Sequence, residues 1–237
     1  MHWIMRSNGR NSIHRFPFIE LNWVCRAHAK LEIHLWWREV LQHVLEARIQ
    51  NGDGEAMQMM YMLSTDFQWL KKSAAAGYAE AQCWLADKYL DGKGFFWPGQ
   101  RNAESMRLLK LCAEGGNPQG INRYAATLLQ QGDVGGAQHW LLRGVEIAFA
   151  PSVANYAISL EDGKYYNFSP DLITAYSLNL LLTELDGGAS MKETALYAIK
   201  NLSSRLTPNE IETAKIRAEH WRVAHPPLSF YPSKLEN

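Results

Sequence analysis

Apolar residues recur at helical spacing along most of this chain, and the clearest instance lies between Gly77 and Gly116. There Ala81, Leu85, Ala86 and Tyr89 fall at i, i+4, i+5 and i+8, and Ser105, Leu108, Leu109, Cys112 and Ala113 form a second stripe. Both have the 3.6-residue period of a helix buried on one face. Between them runs a glycine-rich, aromatic stretch from Asp91 to Gln100. The pattern predicts two helices joined by a loop and closed at each end by glycine.

The same pattern recurs when the chain is phased on its closing small residues, Gly77, Gly116, Ala148 and Gly188. Eleven positions earlier stand Asp66, Ser105, Ala137 and Ser177, and three positions earlier Ala74, Ala113, Val145 and Leu185. Between these lie the pairs Trp69-Leu70, Leu108-Leu109, Trp140-Leu141 and Leu180-Leu181. Eight and nine positions later come Leu85-Ala86, Tyr124-Ala125, Tyr156-Ala157 and Leu196-Tyr197. Twelve later come Tyr89, Leu128, Leu160 and the poorer match Lys200. The closing residues bound units of 39, 32 and 40 residues, the variation falling in the inter-helix loops at Asp91 to Gln100, Gln131 to Val134 and Glu161 to Ser169. Two-helix units of this length predict an all-α solenoid, in which each unit buries its apolar face against its neighbours.

Outside the repeats, residues 1–17 read as a flexible leader and residues 18–50 as a helical N-terminal cap with a stripe of Leu31, Leu35, Val40, Leu41, Val44, Leu45 and Ile49. Asn51-Gly52-Asp53-Gly54 carries turn chemistry, with acids placed to suit a helix N-terminus. Residues 51–188 hold the repeats and residues 189–225 a C-terminal helical cap. In that cap Thr207, Pro208 and Glu210 form a capping box with proline at N1, and Ile211, Ala214, Ala218 and Trp221 share one face. His225-Pro226-Pro227 stops this helix, and residues 226–237 are expected as an extended, partly loose tail.

The runs AEAQCWLADKYLDGKG and LLKLCAEGGNPQG, within Ala79 to Gly120, resemble the Sel1-like repeat, a relative of the tetratricopeptide repeat. A shorter unit ending WLKKSAAAG precedes them and two looser ones follow, so the resemblance covers somewhat over half the chain. It departs from the usual pattern in a first unit without an inter-helix loop, and in Gly144 and Glu184 where an Ala is usual. What the resemblance implies is a right-handed α/α solenoid with helical caps at both ends. It also implies a non-catalytic scaffold, adaptor or regulator that binds another protein. Bacterial Sel1-like proteins include immunity proteins, so a toxin effector is among the implied partners.

Composition narrows this further. Basic and acidic residues balance at 24 each, so no field that would attract nucleic acid is expected. No run of 18 apolar residues suggests a membrane span, the N-terminus lacks a signal-peptide core, and a cytoplasmic protein is expected. Three widely spaced cysteines, Cys25, Cys83 and Cys112, argue against a disulfide framework or a zinc site. Cys83 and Cys112 fall on apolar or small repeat positions and are expected as buried free thiols. Glu39 and His43 offer two ligands at most, and Gly92-Lys93-Gly94 lacks the strand and spacing of a phosphate loop. No catalytic residue, metal or cofactor is expected. The rival from another class is a hydrolase with carboxylates in the groove.

Two surfaces remain as candidates for partner binding. One is the loop Phe95-Phe96-Trp97-Pro98, since three consecutive aromatics exceed what a short loop can bury. The other is the face of the first helices, which lines the concave side in related repeat families. Its candidates are Trp84, Asp87 and Lys88, then Asn122, Arg123 and Thr127, then Asn155 and Ser159.

Overall fold

The computed structural model describes residues 40–94, 97–185 and 189–231. The leader, most of the N-terminal cap (including Glu39), Phe95, Phe96, Gly188 and the end of the tail lie outside them. The chain divides into two compact units, residues 1–51 and 52–237. In the first, residues 40–50 form a helix, α1, whose end is held by the Asn51 side chain donating to the Ala47 carbonyl. His43 there faces Glu46 on the open surface.

The second unit is a series of helices: α2 (Gly54–Ser64), α3 (Phe67–Ala75), α4 (Ala79–Leu90), α5 (Pro98–Glu114), α6 (Pro118–Gln130), α7 (Val134–Glu146), α8 (Ala150–Asp162), α9 (Leu172–Leu182), α10 (Ala189–Ser203) and α11 (Pro208–Ala224). Each helix from α2 to α9 packs on the next, and both α10 and α11 pack on α9. Among the described residues the only strand-like pairing is an isolated bridge between Phe149 and Ser229. No described helix is long and apolar enough to cross a membrane.

The closing residues owe their regularity to one hydrogen-bond motif. After α3 the Gly77 amide donates to the Ala74 carbonyl and the Tyr78 amide to that of Ser73. The same pair of bonds recurs at Gly116-Asn117 and at Ala148-Phe149. This is the Schellman ending, whose pivot residue must take positive φ. Gly77 and Gly116 do so without strain at +87° and +74°, whereas Ala148 does so at +55° against its Cβ. The next helix starts are then capped by Asn117 after Gly116, and elsewhere by Asp53, Asp66, Asp133, Asp171 and the Thr207–Glu210 box.

Most of the predicted core is buried as phased from α3 to α9, while Trp69, Trp140, Tyr156 and Leu180 are half-buried and Asp66 is exposed. Leu70, Leu85, Ala86, Leu108, Leu109, Ala125, Leu141, Ala157 and Leu181 are all buried, as are Ala74, Ala113, Val145 and Leu185. Gly144 lacks a side chain because α8 leaves no room for one: a Cβ there would stand 2.6 Å from Ser152 Cβ. Several expectations fail, among them Leu41 and Val44 of the cap stripe, which are exposed. The second helix of the best unit begins at Pro98, not after Gln100, because proline suits the first helical turn. In α10 the phased pair Leu196-Tyr197 is exposed, and Ala195, Ala198 and Leu202 are buried instead. The stripe has slipped because α11 packs on α9, so α10 lacks the second-helix partner that sets the register elsewhere. Cys83 and Cys112 are bridged, with Cα atoms 5.4 Å apart. Their burial was foreseen, but sequence spacing hid that α4 and α5, packed antiparallel, bring facing positions 29 residues apart into contact.

Candidate functional site

The first helices meet along one face, and the candidates Trp84, Asp87, Asn122, Arg123 and Asn155 lie on the row they form. From α2 to α4 the link is aromatic: Tyr61 and Trp84 meet edge to face at 6.3 Å. From α4 to α6 it is ionic. The Arg123 guanidinium forks onto both carboxylate oxygens of Asp87, one bond being 3.0 Å. From α6 to α8 it is a polar cluster, in which Asn122 Oδ1 accepts from the Asn155 amide at 3.1 Å and from the Ser152 hydroxyl at 3.2 Å. The Asp87–Arg123 pair is more than a third exposed on both sides, so solvent screens it and its contribution is orientation more than stability.

The remaining candidates fall differently. Lys88 is half-buried on α4. Thr127 turns its hydroxyl back to the Arg123 carbonyl at 2.8 Å. Ser159 is fully buried and donates to the Asn155 carbonyl at 2.6 Å, so it is not on the surface where its position placed it. The reason is the i−4 backbone bond, which satisfies its hydroxyl inside the helix packing. In the inter-helix loop Trp97 is 71% exposed, and Phe95 and Phe96 lie outside the described residues.

Beside the row opens a groove of about 1020 Å³. Asn122, Arg123, Phe149, Leu185, Trp221 and Phe230 are among the residues that line it. Trp221 is held flat against His225, ring centres 4.3 Å apart, and Arg222 donates to Glu184 at 3.2 Å. Glu184 is the single carboxylate lining the groove among the described residues. It is paired with Arg222 and has no second lining carboxylate beside it among the described residues. The described residues include no group of three potential metal ligands.

The tail contributes what the sequence reading missed. Rather than lying loose, Leu228 and Phe230 pack on the core, and the Ser229 backbone joins Ala148 and Ala150. The signal was present in the alternation Leu228-Ser229-Phe230 directly after Pro226-Pro227, since alternate apolar residues mark a half-buried extended segment.

No protein-family model matches this chain, and no curated protein does. Among solved structures it is similar to a protective antigen present in uropathogenic Escherichia coli strains, which displays a Sel1-like repeat fold. The TM-score is 0.53 at 14% identity over 83% of this chain. The chain spans about half of that antigen, 52% of its length. It is also similar to a Sel1 repeat protein from Oxalobacter formigenes, at TM-score 0.42 and 21% identity, over 66% of this chain and 98% of the other. With helix pairs, Schellman pivots and core positions in phase from α3 to α9, this chain has the fold of the Sel1-like repeat proteins, an all-α solenoid of helix–loop–helix units.

Proposed function

We propose that this repeat scaffold binds another protein, and that the row of first-helix side chains and the groove beside it form the contact surface. The observation that carries this is the pairing of Asp87 with Arg123 and of Asn122 with Asn155 across successive units, at the edge of an open groove. Side chains fixed by their neighbours lose little freedom when a partner arrives, which favours binding. The groove lining combines arginine and tryptophan, residue types enriched in binding hot spots, with apolar side chains. Trp97 supplies a second, smaller contact on the loop.

The Cys83–Cys112 bridge supports a site of action in an oxidising compartment in preference to the expected cytoplasm, where thiol reductants keep such pairs open.

The test begins with co-purification from the native cell and identification of the bound protein by mass spectrometry. Titration calorimetry then compares three variants. Arg123→Glu places two acids face to face and weakens both the pair and the surface. The double variant Asp87→Arg, Arg123→Asp keeps the internal pair and inverts its outward charge pattern. Trp97→Ala removes the loop contact. The expected result is unchanged melting and at least about tenfold weaker binding for the double variant. Full affinity for all three variants would exclude this surface.

A further inference from the structure

The N-terminus of α8 is completed by a distant part of the chain. Phe149 is its N-cap residue and supplies no side-chain bond, and Pro151 has no amide to donate. That leaves the Ala150 amide, and the Ser229 carbonyl accepts it at 3.0 Å. The exchange is mutual, because the Ser229 amide donates to the Ala148 carbonyl at 3.1 Å. The Ala148 carbonyl faces the tail from a residue held at positive φ. One donor and one acceptor are therefore presented side by side, in the spacing that an extended backbone satisfies.

The side chains fit the same description. Leu228 and Phe230 lie on one face of the tail and pack on the second half of the core, while Tyr231, next along, is 85% exposed. Neither is fully buried, and both line the groove. The tail leaves α11 through His225, extended at φ −127° and ψ 158°, and then through two prolines that cannot continue the helix. It is thus joined to the fold by a stiff hinge and held by two backbone bonds and two side chains.

We propose that the backbone edge Ala148–Ala150, where it borders the groove, is a slot for an extended peptide of apolar-x-apolar chemistry. The chain's own Leu228–Phe230 fills the slot in the unbound protein, and a partner segment enters by displacing it. This rests on the reading of the groove as the binding surface and names the chemistry of what binds there. Main-chain bonds would supply affinity and the two alternate pockets selectivity, as in other additions of an extended peptide to an exposed backbone edge. A tail that is a fixed lock opens only with the fold, whereas a displaceable tail opens on its own.

Amide hydrogen exchange on the full chain reads that directly. A displaceable tail predicts that the Ala150 and Ser229 amides exchange at least about a hundredfold faster than Ala157, inside α8, because they open without global unfolding. Equal rates at the three amides would overturn the proposal. The second measurement uses the full chain carrying Leu228→Ser and Phe230→Ser, and a fluorescein-labelled peptide with the sequence of residues 225–231. The expected outcome is peptide binding at least about tenfold tighter to the variant than to the unaltered chain, and none for a peptide with serine at both apolar positions. A folded variant that ignores the peptide would overturn the slot. A variant that no longer melts cooperatively would do the same, since a tail that is displaced in use cannot be indispensable. Either failure leaves the test with the identified partner untouched, because that test reads Asp87, Arg123 and Trp97.

Discussion

Reducing the Cys83–Cys112 bridge should be the most informative single perturbation of this fold. The bridge closes a loop of 29 residues between α4 and α5. In the chain-entropy picture a loop of that length is worth about 3.5 kcal/mol at 25 °C. The surroundings add to the loss. Gly120 of α6 rests against both sulfurs, such that a Cβ there would lie 2.5 Å from Cys112 Sγ and 3.0 Å from Cys83 Sγ. Two separate thiols need more room than one bond between them, and α6 leaves them none. The bridge joins the two helices of one unit but its sulfurs abut Gly120 of the next, so the loss should spread to α6 and not remain within one helix pair. For a chain of this size about 3.5 kcal/mol corresponds to a fall in melting temperature of about 10 °C. The assay is thermal melting by circular dichroism with and without reductant. It is paired with a thiol count in denaturant, where one free thiol per chain is expected, that of Cys25. The Cys83→Ala, Cys112→Ala variant should melt near the reduced protein. Three titratable thiols, or a melting temperature indifferent to reductant, would refute the bridge and return both cysteines to the free state.

Other expectations follow from single residues. Leu85 is 4% exposed at the centre of the best unit, so Leu85→Ala should cost about 2–5 kcal/mol, read by chemical denaturation. Ala148 holds positive φ at a Schellman pivot where its neighbours have glycine, so Ala148→Gly should stabilise by about 1 kcal/mol, and a loss would mean its methyl packing matters more than its strain. Burial pushes the Asp171 carboxyl up, but bonds from the Thr174 hydroxyl and amide and from Arg217 outweigh it and hold the group below its usual range. A depressed folded value means stability that is present above the unfolded carboxylate range and lost as pH falls through the folded one. Acid melts should therefore decline below about pH 4, and less steeply for Asp171→Asn.

The periodicity revealed the repeats because burial and turn chemistry act locally and at fixed spacing. A helix that must show one face to its neighbour needs Leu85-Ala86 and Tyr124-Ala125 at the same place in every unit, and a Schellman ending needs its pivot after a fixed run. Both demands are written in the chain at short range. What stayed hidden depends on partners far apart in sequence. Cys83 and Cys112 look like two isolated thiols until the helix pair is closed. The exposure of Leu196 and Tyr197 follows from α11 choosing α9, which no local pattern in α10 records.

The candidate site divides along the same line. Position within a repeat was enough to select Trp84, Asp87, Asn122, Arg123 and Asn155 as members of one face. It could not show that Arg123 is already engaged by Asp87, because that contact joins equivalent faces of successive units. This changes what the residue does. A free arginine would offer its charge to a partner, whereas a forked pair offers a fixed platform in which each charge is partly offset by the other. The same reasoning applies to Asn122, whose side-chain oxygen is spent on Ser152 and Asn155. If this surface binds a partner, selectivity rests on the fixed orientation of the Asp87–Arg123 pair, which the charge-swapped double variant reverses, and on the shape of the groove. Binding there should consequently be only weakly sensitive to salt, since screening acts mainly on charges that are exposed and unpaired.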